Sequence, residues 1–406
     1  MSNGTCHHHH HEPPAPLGTE ELMSLARTLY KDALEGAAGT DDLSLQLDVT
    51  LARLEFARVT GEDQGAIGTF RDAMGLLRAG HGATPWLYGG AAHVGWTAVQ
   101  LSRVHGVGLG GLTAIDDTVV RWVEEYPEDV DVDLPTGVLG LGVYGLVHPS
   151  RNAREKITSG VMDVIEARTE HGDGAFIRLA PARFRLAETP HLVGYRDLGM
   201  AHGNAGLVSF LASVAMSGTP ARERARKLLD ESLGWLLKQR TDTDGAVFPQ
   251  AVELRYEISR SAWCYGDPGI ALALDVAAKA TDDPAVAEVA RHVAATAAVR
   301  PVDRTRVVDP CLCHGAAGLI YFGNRVRRDH GLPAADAVID FWTDFVQRRR
   351  ARGGLEYYGR EGMRSEHSFL EGDLGVALTL LHLASEVPPL WEERLLTVPI
   401  GSGRAE

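Results

Sequence analysis

Two cysteines and two histidines stand directly before short glycine motifs that recur along the chain. Each lies one or two residues ahead of the first glycine of a Gly-x-x-Gly motif, and the four residues are His202, Cys264, Cys313 and His314. Two thiolates and one imidazole suit Zn²⁺, and three protein ligands leave one coordination position open, as in catalytic zinc sites. The spacing therefore predicts one zinc ion bound by Cys264, Cys313 and His314, where an incoming thiol would bind as the reactive thiolate.

Other residues near the same glycines are open to two interpretations. His202 is either an acid–base group or a histidine that only packs at a helix start. Asp133 is either a catalytic carboxylate or a helix N-cap, and Arg260 is either a functional cation or an ion-pairing residue on the surface. Cys311 is either a substitute zinc ligand or a small apolar residue that packs beside Cys313.

The glycine motif occurs five times, each time followed by an apolar helical pattern. The first and last glycines of the five copies are Gly137 and Gly140, Gly203 and Gly206, Gly266 and Gly269, Gly315 and Gly318, and Gly372 and Gly375. One further copy, which begins at Gly90, is degenerate because His93 replaces its second glycine. It is the first of the six copies when they are numbered in chain order. The spacing from one copy to the next is between 47 and 66 residues, which accommodates two helices and two loops.

This repetition predicts an all-α fold, an α/α toroid in which six to seven helical hairpins form a double ring. Inner helices would begin at the glycines, where the missing side chain lets backbones approach closely. Outer helices would carry the amphipathic stretches between the motifs. If all inner helices begin at the same end of the ring, their N-terminal N–H groups converge on one basin that favours anions and bound thiolates.

Composition and charge narrow the function classes. With 406 residues, 45% of them hydrophobic and 23% charged, the chain can bury a substantial core. Its net charge of −14 argues against a nucleic-acid partner, because phosphate binding requires clustered Lys and Arg. Four cysteines are too few for a disulfide scaffold and favour metal binding or catalysis. No apolar stretch approaches the roughly 20 residues of a spanning helix. No signal peptide is visible, so we expect a cytoplasmic protein with no integral membrane segment.

Residues 1–16 differ in composition from the rest of the chain. They contain five consecutive histidines at positions 7–11, with Cys6 before them and a proline-rich stretch after them. We expect a disordered tail or an affinity tag there, and a single toroid domain over residues 17–406.

Several segments together resemble the lanthionine synthetase C-like family, and in particular the separate cyclases of class I lanthipeptide pathways. The pair Trp263-Cys264-Tyr265-Gly266 and Cys313-His314-Gly315 is the most specific part of this resemblance. The other matching segments are Leu87-Tyr88-Gly89-Gly90, Ala201-His202-Gly203-Asn204-Ala205-Gly206, Leu370-Glu371-Gly372 and Pro388-Pro389-Leu390-Trp391-Glu392-Glu393-Arg394-Leu395-Leu396. They extend over nearly the whole chain after the tail.

The resemblance implies a zinc-containing α/α toroid whose ligands are Cys264, Cys313 and His314. It also implies acid–base and substrate-orienting roles for four residues, which are His202, Asp133, Arg260 and Tyr265. The motif around Asp133 departs from the family at Pro135 and Thr136. Asp131 is therefore an alternative to Asp133, and His93 is a further departure.

The activity that the resemblance implies is the formation of a carbon–sulfur bond by a lyase-class enzyme. A cysteine of a dehydrated lanthipeptide precursor adds to dehydroalanine or dehydrobutyrine of the same peptide and closes a lanthionine or methyllanthionine ring, as in antibiotic biosynthesis. The expected partners are the precursor with its leader, a dehydratase and a transporter, in a complex peripheral to a membrane.

Other functions are compatible with the same residues. One is the addition of glutathione or another external thiol to dehydrated proteins, and another is non-catalytic binding of zinc or peptide by the toroid. A glycosidase-like toroid would need paired carboxylates near the ring centre, and it would leave the two cysteines and the histidine unexplained.

Overall fold

The computed structural model consists mainly of α-helices. It describes residues 16–82, 84–181, 190–243 and 245–401. Of the predicted tail only Pro16 lies within these ranges, so the expectations for the tail and for the domain division stay predictions. The helices in chain order are α1 (Thr19–Gly36), α2 (Leu43–Thr60), α3 (Ala66–Arg78), α4 (Ala91–His105), α5 (Leu112–Glu124), α6 (Val138–Val147), α7 (Arg151–Arg168), α8 (Asn204–Met216), α9 (Arg222–Leu237), α10 (Asp267–Thr281), α11 (Pro284–Ala298), α12 (Ala316–His330), α13 (Ala334–Ala351) and α14 (Asp373–Leu383).

The even-numbered helices form a closed inner ring. Each packs against the next even-numbered helix, and α14 packs back against α2, so the ring has no open end. The odd-numbered helices lie outside: α1 packs against α14, and each of the others packs against the even-numbered helix that precedes it. The predicted α/α toroid is therefore confirmed, with seven inner–outer pairs among the described residues.

Inner and outer helices differ in the pattern of their apolar residues. All ten residues of α6 are buried, because an inner helix contacts its ring neighbours, its outer partner and the ring centre. In the outer helix α5 only Leu112, Ile115, Val119 and Val123 are buried, and their spacing of three to four residues forms a single stripe. None of the described helices is both long and apolar enough to cross a membrane.

A tight loop precedes the inner helices, and the repeated glycines make it possible. In the fifth copy the N–H of Ala316 donates to the carbonyl of Asp309, seven residues earlier, at 3.0 Å. A Cβ at Gly315 would collide with that same carbonyl oxygen, and one at Gly318 with the carbonyl of Leu312. The glycines are thus needed for close approach between the loop and the first helical turn, as the sequence predicted.

The degenerate first copy is accommodated by a buried histidine. The imidazole of His93 is fully buried, and its Nδ1 accepts a hydrogen bond from the N–H of Gly89 at 3.2 Å. Its Nε2 lies 3.5 Å from Oδ1 of Asp48 on α2. His93 therefore replaces the missing glycine with polar contacts that join α4, its loop and the neighbouring inner helix.

Two short hairpins interrupt the helices, and the sequence patterns did not predict them. Strands β1 (Glu170–Gly172) and β2 (Gly174–Phe176) pair antiparallel with Glu170 opposite Phe176. Strands β3 (Tyr357–Gly359) and β4 (Gly362–Arg364) pair with Tyr357 opposite Arg364. Three 3₁₀ turns complete the described secondary structure, at Pro190–Leu192, Val252–Leu254 and Val302–Arg304.

Residues 390–400, called the central segment here, fill the middle of the ring. The carbonyl of Leu395 accepts a hydrogen bond from Nε1 of Trp263 at 3.0 Å, and that of Thr397 accepts one from Arg325 on α12 at 2.9 Å. The N–H of Leu390 donates to Glu55 on α2 at 2.6 Å. A non-helical backbone can lie in the core because helix side chains satisfy its polar groups.

Arg394 anchors the central segment through a buried charge. Its side chain is fully buried, and Nη1 donates to Oδ1 of Asp48 at 3.2 Å. The guanidinium carbon lies 4.5 Å from the ring centroid of Tyr88 and 4.9 Å from that of Phe369. These contacts join the segment to α2 and to loops at the start of two inner helices.

Replacing Arg394 with Met should destabilise the fold by about 3–5 kcal/mol, because the carboxylate of Asp48 is left buried without its cation. The shift of the urea-unfolding midpoint measures this loss. The matched control is Arg224→Met, which removes a surface ion pair with Asp163 and Glu166 and should cost no more than about 1 kcal/mol. Equal shifts for the two variants would contradict the anchoring role, and adding Asp48→Asn to Arg394→Met should restore part of the loss.

Candidate functional site

The loops before the inner helices meet at one end of the ring, where backbone hydrogen bonds join them in sequence. The donor and acceptor pairs are Leu134 N–H to Ala201 O at 2.9 Å, Ala201 N–H to Cys264 O at 3.2 Å, Cys264 N–H to Cys313 O at 3.3 Å, and Cys313 N–H to Leu370 O at 2.8 Å. We call this set of loops the collar. The collar shows that these helices begin at the same end, as the sequence predicted.

Equivalent positions in the collar carry the reactive side chains. Two residues before the first glycine of a copy stand Cys264 and Cys313. One residue before the glycine stand His202, Tyr265, His314 and Glu371. Because the loops are bonded side by side, residues at equivalent positions face a common basin.

Cys264, Cys313 and His314 come together in this basin. Their ligand atoms, two sulfurs and a ring nitrogen, all lie within 4.8 Å of one another, and Cys264 is buried while the other two are partly exposed. All three described cysteines are free thiols. A set of two sulfurs and one imidazole fits the donor preference of zinc, so the residues present suit the ion that the sequence predicts.

The two thiols interact with each other. A hydrogen bond from Cys313 lowers the pKa of Cys264 well below its ordinary value, with help from the nearby His314. The same bond, together with burial, raises the pKa of Cys313. The site thus favours the thiolate form of Cys264, which is the form in which cysteine binds a metal ion.

A second group of possible ligands shares His314. The ligand atoms of Asp309, Cys311 and His314 also lie within 4.8 Å of one another. The buried sulfur of Cys311 accepts a hydrogen bond from the backbone N–H of His314 at 3.4 Å. Asp309 was not predicted, although aspartates stand at the same position, six residues before the glycine, in the second and third copies.

His202 forms a short hydrogen bond to a buried carboxylate. Its Nδ1 lies 2.6 Å from Oδ2 of Asp133, while Oδ1 of Asp133 accepts the N–H of Thr136 at 2.9 Å. Burial lowers the pKa of His202, but the hydrogen bond and the charge of Asp133 outweigh that effect and raise the pKa to about 9. His202 is 27% exposed, so the ring stays accessible from the basin.

The two aspartates that the sequence left open have different partners. The carboxylate of Asp131 accepts the backbone N–H of Ala180, on the segment that follows β2. Only Asp133 bonds to His202, and no side chain caps α6, so the N-cap interpretation of Asp133 does not apply.

Tyr265 lies beside His202, and Arg260 lies near His314. The ring of Tyr265 stacks on that of His202, with centroids 5.9 Å apart. The positive charge of Arg260 is felt by His314, whose pKa it lowers slightly against the raising effect of Cys264 and Asp309. The guanidinium of Arg260 forms no hydrogen bond with any residue that the structure describes, which leaves its donors available.

A family model described as lanthionine synthetase C-like protein matches residues 87–396, which is more than half of the chain. The chain belongs to that family. The resemblance found in the sequence is thereby confirmed. The matched residues contain the collar and most of the central segment.

A solved structure supports the fold. The lanthionine synthetase C-like chain is similar to nisin cyclase with a TM-score of 0.73 and 20% sequence identity, over 92% of this chain and 96% of that one. At this identity the likeness shows the shared toroid alone. A second match is an inactive variant of an alpha-1,6-mannanase of Salegentibacter sp. HEL1_6 in complex with alpha-1,6-mannotriose. Its TM-score is 0.45 and its identity 10%, over 93% of this chain and 99% of that one. A match at this level carries no argument.

Replacing Asp133 with Asn should lower the pKa of His202 from about 9 toward the ordinary imidazole value, because the neutral amide no longer stabilises the imidazolium. A raised pKa means that protonated His202 stabilises the fold at pH values below about 6.5 and that this contribution is lost as the pH rises through about 9. An NMR titration of the imidazole, assigned with a His202→Asn variant, measures the change. Asp131→Asn is the matched control and should leave the pKa near 9; an unchanged pKa in Asp133→Asn would contradict the pairing.

Proposed function

We propose that this chain is a zinc-dependent lanthipeptide cyclase. It closes thioether rings by intramolecular Michael-type addition of precursor cysteine thiols to dehydroalanine or dehydrobutyrine. The observation that carries the proposal is the pairing, in one basin, of a Cys264–Cys313–His314 ligand group with the His202–Asp133 dyad. A ligand group alone would suit a binding protein, whereas an accessible imidazole held by a carboxylate beside it suits proton transfer.

Cys264, Cys313 and His314 would hold a single zinc ion. When bound, zinc supplies a Lewis-acid site that lowers the pKa of an incoming thiol. The three protein ligands leave room for that thiol. The collar fixes the two cysteines through their own backbone hydrogen bonds, so the ligand group needs little rearrangement.

His202 is the proposed acid–base group. In the addition, the precursor thiol loses its proton, its sulfur attacks the β-carbon of the dehydro residue, and a proton is added at the α-carbon. No atom leaves the peptide. Since its pKa is raised to about 9, His202 begins protonated and gives its proton to the α-carbon, and the proton lost by the thiol passes through water to restore it. Asp133 binds Nδ1 of His202, which leaves Nε2 to exchange protons with the substrate.

Negative charge develops on the carbonyl oxygen next to the α-carbon before that proton arrives. Arg260 offers free guanidinium donors at the basin, and the N-termini of the inner helices add their partial positive charge. Tyr265 holds the ring of His202 by stacking and so limits its orientation. Arg260 would thus stabilise the developing charge, and Tyr265 would orient His202. Neither residue forms a covalent bond to the peptide.

The substrate and partners follow from the same chemistry. Dehydro residues form when serine or threonine loses water, so a dehydratase must act before this enzyme. The proposed substrate is a dehydrated precursor with its leader, in a cytoplasmic complex that also contains the dehydratase and a transporter.

Alanine at Cys264, Cys313 or His314 should abolish most of the zinc binding, because each removes one of three protein ligands. The measurement is zinc per chain by metal analysis, in full-length protein whose histidines at 7–11 are replaced by serine to remove stray binding. Cys311→Ala is the matched control, a buried cysteine two residues from Cys313, and should keep its zinc. Full zinc occupancy in the three ligand variants would refute the assignment.

Activity is tested on the same proteins with a peptide that contains one cysteine and one dehydroalanine. Ring closure leaves the mass unchanged but removes the free thiol, so it is scored by the lost reaction with N-ethylmaleimide. Wild-type protein should close the ring, and added glutathione should not appear in the product. A glutathione adduct would favour the external-thiol function instead, and an unreacted peptide would favour a binding role.

His202→Asn should keep its zinc and lose ring closure by a factor of about 10² to 10⁴, the usual contribution of a general acid or base. The asparagine retains a polar group next to Asp133, so the fold should be preserved. Single-turnover ring closure and zinc content are measured on one sample. Turnover equal to that of the wild type would rule out the acid–base role.

A further inference from the structure

Asp309 is a buried carboxylate beside one of the proposed zinc ligands. Its side chain is 1% exposed, in the loop that precedes α12. Oδ2 of Asp309 lies 3.7 Å from Nε2 of His314. A buried carboxylate is costly unless its oxygens have partners, so its position beside His314 requires an explanation.

The carboxylate is held rigidly by the backbone. Oδ1 accepts the N–H of Cys311 at 2.9 Å, and Oδ2 accepts the N–H of Tyr358, on strand β3, at 3.1 Å. A Cβ at Gly315 would lie 2.6 Å from Oδ1, so the collar glycine leaves the space that the carboxylate occupies. The β3–β4 hairpin therefore contributes to the site by fixing this side chain.

Oδ2 is the carboxylate oxygen that lies nearest to Nε2 of His314. The 3.7 Å separation is too long for a hydrogen bond, which requires about 2.9 Å. The carboxylate is fixed by two N–H groups, whereas His314 is partly exposed, so a small tilt of the imidazole would bring Nε2 within hydrogen-bond distance.

We propose that Asp309 is a positioning residue whose carboxylate accepts a hydrogen bond from Nε2–H of His314 and thereby directs Nδ1 toward the thiols of Cys264 and Cys313. The inference rests on the proposed zinc site. A carboxylate behind a metal-bound imidazole fixes both the tautomer and the orientation of the ring, and its loss usually weakens metal binding 10- to 100-fold.

The alternative is that Asp309 and Cys311 are themselves ligands, since they form the second group with His314. The contacts argue against it. Both oxygens of Asp309 already accept backbone N–H groups, and the sulfur of Cys311 accepts the N–H of His314. A metal ion there would have to displace these bonds.

The test is the zinc dissociation constant of Asp309→Asn and Asp309→Ala, measured by competition with a chromophoric chelator in the full chain with serines at 7–11. We expect zinc to bind roughly 10- to 100-fold more weakly, with the larger loss in the alanine variant. The matched control is Asp197→Asn. Asp197 occupies the same position in the third copy, and its Oδ1 accepts the N–H of Gly199 at 2.7 Å. That variant should lose comparable stability, by thermal unfolding of the metal-free protein, and keep wild-type zinc affinity.

A second readout does not depend on any variant. The ¹⁵N shifts of His314 in zinc-loaded wild-type protein should show a protonated Nε2 and a metal-bound Nδ1. The opposite tautomer would overturn the proposal, as would Asp309 variants that bind zinc as tightly as the wild type. Complete loss of zinc in Asp309→Asn, equal to that of Cys264→Ala, would make Asp309 a ligand and also overturn it. If wild-type protein binds no zinc, the proposed function itself fails, so the two failures are distinguishable.

Discussion

Close backbone contact between each loop and the first turn of its inner helix is the constraint on which the site depends. The carbonyl of Asp309 lies where a Cβ of Gly315 would be, and equivalent contacts occur at the other copies. Because the loops lie this close to their helices, neighbouring loops can bond to one another and form the collar. Any side chain at these glycines would push the loops apart and separate Cys264 from Cys313.

Two histidines in the collar lie beside carboxylates at different distances, which fits different tasks. His202 is 2.6 Å from Asp133, and the pairing raises its pKa to about 9. Nε2 of His314 is 3.7 Å from Oδ2 of Asp309, and His314 also interacts with Cys264. A tight carboxylate partner keeps a proton available on His202, whereas a metal ligand must offer a neutral nitrogen. Both histidines stand one residue before a repeat glycine, but their carboxylates come from different positions in the loops.

The sequence predicted the features that rest on repeated motifs and on residues close together in the chain. Glycines recur at regular spacing, and the cysteines and histidines stand at fixed positions before them, so the toroid and the members of the ligand group could be inferred. The central segment could not be predicted, because its contacts join residues far apart in the chain: Arg394 bonds to Asp48, and Leu390 to Glu55. The hairpins were missed because strands of three residues carry too little pattern. Asp309 left a visible signal, a repeated aspartate six residues before the glycine, but only the structure shows that it faces His314.

The central segment connects the buried core to the loops that form the candidate site. Trp263 immediately precedes Cys264, and its indole N–H donates to the carbonyl of Leu395 at 3.0 Å. Tyr88, in the loop that precedes α4, donates its hydroxyl to the carbonyl of Arg394 at 2.8 Å. The loops before α4 and α10 are thus both bonded to the central segment, which Arg394 in turn joins to Asp48. A ring of separate helical hairpins could widen or narrow freely, since neighbouring inner helices contact each other mainly through apolar side chains. A polar segment bonded to several of them sets the distance across the ring, and with it the spacing of the groups that must converge on one sulfur atom.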